Sequence, residues 1–156
     1  MRKKEVSRSH SDRRRLSCHY EDKLPYLEKI KADNLSMSVI LHTNYIDKTR
    51  VKDYFCAADL VVQPYLNATQ SGITQIAYHF GRPMLVTDVG GLAEIVSHNR
   101  VGYVTEKTPD SIADALNDFY DNDREKLFSE NAEIDKQKFS WQYFINGLKK
   151  LYDQIR

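Results

Sequence analysis

Leu24, Leu27 and Ile30 recur at helical spacing after Asp22, and Pro25 suits a first turn, so Pro25 to Asp33 reads as a short amphipathic helix. The pattern then changes. Ser38 to His42 (SVILH) is an apolar run bounded by polar residues, which predicts a strand buried on both faces. Asp47 is placed to cap a helix on which Val51, Tyr54, Phe55 and Ala58 fall at i, i+3, i+4 and i+7, the stripe of a helix lying on a sheet. Leu60 to Val62 is the next buried strand. Ser71 or Gly72 then opens a helix through Phe80, Gly81 takes the left-handed stop, and Pro83 precedes a strand at Met84 to Thr87. Asp88 to Gly91 is a turn, Leu92 to Val96 a short helix and Val101 to Val104 a fourth strand. Helices follow from Asp110, from Arg124 to Lys138 and from Trp141 to Ile155. The last is capped by Ser140 and striped by Phe144, Ile145, Leu148, Leu151 and Tyr152; the stripe either packs on a partner or closes this domain.

Short buried strands separated by helices of about ten residues need crossover connections, and crossovers give a parallel sheet with helices on both faces. The expected class is therefore α/β, a doubly wound, Rossmann-like sheet. In such sheets ligands sit beyond the carboxyl ends of the strands. That rule singles out four loops: Thr43 to Asp47, Gln63 to Ser71, Asp88 to Gly91 and Thr105 to Pro109.

With 156 residues, of which 41% are hydrophobic and 29% charged, the chain suits one globular domain. No apolar run approaches the roughly 20 residues that span a bilayer, and the N-terminus has no apolar core of a signal peptide, so a soluble cytoplasmic protein is expected. The net charge of +1 is unevenly spread. Residues 1–19 hold seven cations, Arg13, Arg14 and Arg15 among them, against Glu5 and Asp12; this net +5 leaves −4 for residues 20–156. The first segment reads as a solvated, disordered basic tail. A folded body of negative sign has no electrostatic footprint for nucleic acid. Cys18 and Cys56 form no CxxC pair, and Cys56, between Phe55 and Ala57, is expected to pack in the core. The histidines lack HxxxH or HExxH spacing, so no metal is expected, and no cofactor.

The chemistry concentrates in the second loop, QPYLNATQSG, which ends at a helix start. Amides around Gln70, Ser71, Gly72 and Ile73 and the helix dipole together form a site suited to phosphate. Thr69 and Ser71 add hydroxyls, and Gln70 both a donor and an acceptor. An ordinary capped helix would look the same in isolation. The segment DVGGLAEIV, following strand MLVT, adds two glycines at the carboxyl end of the next strand.

The string ADLVVQPY, ATQSGITQIAYHFGRPMLVTDVGGLAEIV and VGYV resembles the donor-binding half of retaining glycosyltransferases of the GT-B type, over about Tyr20 to Trp141. These are two-Rossmann-domain enzymes that use nucleotide-diphosphate sugars. The resemblance implies that Thr69, Gln70, Ser71, Gly72 and Ile73 hold the sugar and diphosphate of such a donor. Asn44, Tyr45 and Ile46 would line the base pocket with Tyr65 close by, and Gly90 and Gly91 would shape the cleft floor, with Glu94 after them as ligand or as helix-start carboxylate. Two glutamates common in the family fall here on Ala68 and Ile76, neither of which accepts a hydrogen bond. Either Gln75 substitutes for the second, or TQSG serves instead. The family's upstream Arg and Lys and its acceptor-binding domain have no counterpart in the sequence. The chain thus reads as a C-terminal half, incomplete or inactive alone, whose transfer of a hexose-type sugar to a glycan or lipid-linked acceptor needs an acceptor-domain partner chain or a homo-oligomer, or is vestigial; a non-catalytic interaction or regulatory module of the same fold is the other reading. A receiver-like regulator is disfavoured, because only Asp88 stands as an acid at a strand end.

Overall fold

A computed structural model describes residues 23–155, so the basic segment and Cys18 lie outside the described residues. Three strands pair in parallel in the order β1 (Val61–Gln63), β2 (Met84–Thr87) and β3 (Gly102–Thr105). Around them lie α1 (Leu24–Ala32), α2 (Lys48–Ala57), α3 (Gly72–His79), α4 (Leu92–Ile95), α5 (Pro109–Asp121), α6 (Glu125–Asp135) and α7 (Trp141–Gln154), with a 3-10 turn at Lys136–Phe139. Every residue of the central strand MLVT is buried, as a strand covered on both faces requires.

The two sides of the sheet carry separate cores. Val61, Met84 and Val86 pack with Phe55 of α2, Ala77 and Tyr78 of α3, and Leu92 of α4. Leu85 and Tyr103 point the other way, onto Phe119 of α5 and Phe128 of α6. Helices therefore cover both faces, and α6 reaches both, since its Ala132 joins the first core. At about 25 cal/mol per Å2 of apolar surface removed from water, fully buried side chains of the size of Tyr78, Phe119 and Leu85 dominate the stabilisation. Two polar ties lock the layers. The Tyr78 hydroxyl donates to the Ile95 carbonyl at 2.7 Å, joining α3 to α4, and burial pushes this phenol up to about 12. The buried Asp135 carboxylate takes two hydrogen bonds from Arg100, each at 3.1 Å, and pairs with Lys138.

Local chemistry sets the element ends. Asp47 accepts from the Thr49 amide at 2.8 Å and starts α2; Thr108 and Ser140 cap α5 and α7 in the same way. Gly81 ends the α3 segment in the left-handed region at φ +59°.

Two expectations are corrected here. Ser38 to His42 is not a strand: it makes no ladder with β1, and Ile40 and Leu41 are 44% and 39% exposed. An apolar run becomes a strand only where a pairing edge satisfies its backbone, and among the described residues none does so for this one. Cys56 is exposed rather than in the core. On α2 the inward direction belongs to Tyr54 and Phe55, and Cys56 falls one step further round the helix.

Candidate functional site

Because each strand runs toward the same end of the sheet, the loops after β1, β2 and β3 meet there, and specific hydrogen bonds stitch them together. The Thr87 hydroxyl donates to the Tyr65 carbonyl at 2.5 Å, the Gly91 amide to the Thr69 carbonyl at 2.8 Å, and the Asp88 amide to the Thr105 carbonyl at 2.8 Å. The turn after β2 thereby docks directly on the loop after β1. Gly90 makes this possible. Its φ is +52°, and a Cβ there would stand 2.0 Å from the Ala68 carbonyl oxygen.

The stitched loops enclose a cleft of ≈480 Å3 lined by Asn67, Ala68, Thr69, Asp88, Val89, Gly90 and Lys107. Of the sequence candidates, Thr69 and Gly90 line this cleft, and Gly91 is bonded to its wall. Asn67 and Lys107 were not singled out from the sequence, and Asp88 was marked only as an acid at a strand end. Lys107 lies in the loop Thr105 to Pro109, which the strand-end rule had marked, so a signal for it existed.

Beside the cleft, α3 begins. Ser71 is its N-cap, accepting from the Ile73 amide at 3.2 Å, and the Tyr65 hydroxyl stands 3.4 Å from the same Oγ. The Ile73 amide is thus already taken, and its side chain packs against the core. The amides of Gln70, Ser71 and Gly72 have no hydrogen-bond partner among the described residues, and nothing stands within 4 Å of a Cβ built on Gly72. Open amides at the positive end of a helix dipole, with free space before them, attract an anion.

The remaining candidates are spread more widely. Asn44 and Tyr45 are exposed on the loop before α2, Tyr45 at 84%, and Ile46 is half-buried beside them. This loop ends at Asp47, whose carboxyl is held below its usual range by hydrogen bonds from the Thr49 hydroxyl and amide. Gln75 is exposed on α3, whereas Ala68 and Ile76 pack against the core and offer no polar group. Glu94 is exposed in the first turn of α4, outside the cleft lining. Gln63, which the sequence reading passed over, is buried at the carboxyl end of β1 with neither amide atom hydrogen-bonded. A second cavity of ≈490 Å3 lies against β3, but its polar groups answer one another: the Tyr103 hydroxyl donates to Asp118 at 2.5 Å, and Arg124 pairs with the same carboxylate.

A Rossmann-like sheet whose strand-end loops frame a polar cleft beside an open helix start has the arrangement in which doubly wound α/β domains bind their ligands. The chain belongs to the glycosyl transferases group 1 family, whose description it matches over residues 15–122. It is 31% identical over 110 residues to the D-inositol 3-phosphate glycosyltransferase of Paenarthrobacter aurescens, an alignment that takes in 67% of this chain and 26% of that protein. An uncharacterized glycosyltransferase of Methanocaldococcus jannaschii is 32% identical over 76 residues, 47% of this chain and 22% of its own. The chain thus spans about a quarter of the length of these curated relatives. Among solved structures, sucrose-phosphate synthase from Thermosynechococcus elongatus superposes with a TM-score of 0.70 at 21% identity, over 83% of this chain and 33% of that one. Anabaena HepE, solved in complex with UDP, gives 0.67 at 18% identity over 83% and 36%. These likenesses establish the GT-B Rossmann-like fold. No helix among the described residues is long and apolar enough to cross a membrane.

Proposed function

We propose that the chain is the donor-binding part of a cytoplasmic glycosyltransferase, holding a nucleotide-diphosphate sugar for transfer of a hexose-type unit, with retention, to a glycan or lipid-linked acceptor. Residues 20–156 form the donor-binding unit. The observation that carries the reading is the free amides at the start of α3 beside the cleft built by Thr69 and Gly90. The amides take the diphosphate, Asn67, Thr69 and Asp88 offer hydrogen bonds to sugar hydroxyls, and the loop Asn44, Tyr45, Ile46 with Tyr65 and Gln75 serves the nucleoside. HepE was solved with UDP, and the pneumococcal O-GlcNAc transferase GtfA, with a TM-score of 0.60, with UDP and GlcNAc; both support a nucleotide at this kind of site. Acceptor recognition and the transfer itself need surfaces beyond this unit, from a further domain or a partner chain.

The test is a titration with UDP, ADP and GDP. At a hundred times its dissociation constant, a bound nucleotide adds about 2.7 kcal/mol to stability, which raises the melting temperature by roughly 5–10 °C. Gly72→Val carries the decision on the site, because a side chain there enters open space and leaves the fold intact while filling the approach to the amides. At least about tenfold weaker binding, or about 1.4 kcal/mol, is expected in calorimetry; unchanged binding removes the site.

A further inference from the structure

Seven of the described basic side chains are already committed to carboxylates: Lys29, Arg82, Arg100, Arg124, Lys126, Lys136 and Lys138. Lys107 is not. Its ammonium makes no ion pair among the described residues, and it is the one cation in the lining of the strand-end cleft. Its backbone is held from both sides. Thr105 is buried, its hydroxyl donating to the Val86 carbonyl and its carbonyl accepting from Asp88, while Thr108 caps α5 at the Ser111 amide. Two residues thus bridge a fixed strand end and a fixed helix start. The Cα of Lys107 has little freedom to move, and only its flexible stem searches the cleft.

We propose that Lys107 is the phosphate-contacting cation of this cleft, supplying from the loop after β3 the positive charge that faces a nucleoside diphosphate. The inference rests on the donor reading above and extends it to a residue outside the start of α3. Asp88, in the same lining, accepts but does not donate, and at close range it repels a phosphate. The diphosphate therefore settles between Lys107 and the free amides at the start of α3, and Asp88 is left to hydroxyl groups. A lysine suits this task, because a compact ammonium serves a phosphate as a point charge from a range of angles.

The experiment compares UDP binding by the 156-residue chain with Lys107→Gln, Lys107→Arg and the unsubstituted sequence, in calorimetry at low and at high salt. Lys107→Gln is expected to weaken UDP about tenfold at low salt, the low end for a charge-assisted hydrogen bond at an exposed position. Lys107→Arg is expected to stay within about threefold, since the charge is kept. The deficit of Lys107→Gln narrows toward 1 M salt, where screening shortens to about 3 Å. Its melting temperature without ligand stays at that of the unsubstituted chain, because the side chain is exposed. UDP affinity of Lys107→Gln equal to that of the unsubstituted chain overturns the role of Lys107 and leaves the donor reading standing. A deficit that ignores salt, or one shared equally by Lys107→Arg, also overturns it. If the unsubstituted chain binds none of UDP, ADP and GDP, the donor reading fails and this inference with it.

Discussion

At Gly90 the backbone is left-handed and a Cβ would collide with the Ala68 carbonyl, so Gly90→Ala is opposed by both conformation and space. We expect a loss of about 2 kcal/mol in urea unfolding, since a strained backbone costs roughly 1–3 kcal/mol and the docked loop must also yield. Ser71→Ala is a different case. Ser71 satisfies the Ile73 amide, so its loss costs about 1 kcal/mol of stability before any ligand is added. Binding data on that variant therefore need a melting curve beside them. Asp135 governs the acid limb of stability. Hydrogen bonds from Arg100, with help from Lys138, hold its carboxyl below the usual value of 3.8. A carboxyl depressed in the folded state stabilises above its unfolded value, and the contribution is lost as pH falls through the folded one. The urea midpoint is thus expected to drop on acidification below about pH 4, and less steeply in Asp135→Asn. At neutral pH that variant costs about 2 kcal/mol, under the 3–5 of a fully enclosed pair, because Arg100 remains half exposed.

Among the helices, α7 stands apart. None of its residues is buried, and its stripe leaves Trp141 79%, Leu148 51% and Leu151 57% exposed. A contiguous apolar face of this kind favours association. We expect the chain to elute above its monomer size at tens of micromolar in size-exclusion chromatography, and the double substitution Leu148→Glu, Leu151→Glu to restore the monomer without lowering the melting temperature. Helix positions were legible in the sequence where period and cap coincide: Asp47, Ser71 and Ser140 each stand directly before a striped segment and each accept a backbone amide, whereas the helix expected from Asp110 rested on its stripe alone and its cap, Thr108, came from the structure. The strands β1 to β3 were legible for their continuous apolar runs. SVILH was misread because the same composition cannot say whether a pairing edge exists, and Cys56 because a helix residue between two apolar neighbours still points by its own angle.

For the molecule as a whole, two of the seven residues that line the cleft were named beforehand as site residues. Thr69 and Gly90 were found through the glycine-bearing loops at strand ends, and the loop of Lys107 was marked though the residue was not. Asn67 and Asp88 also lie in loops that the strand-end rule marked, but which residues of those loops face the cleft depends on how three loops separated in sequence come to rest on one another. Those same stitches, Thr87 to Tyr65, Gly91 to Thr69 and Asp88 to Thr105, have a kinetic corollary. Walls already tied by their own hydrogen bonds owe little further ordering entropy when a guest arrives. In stopped-flow mixing, the observed rate for UDP should climb linearly with concentration, without the plateau that a slow closing step imposes. The heat-capacity change should stay small, the signature of entry into a mould that is already cast.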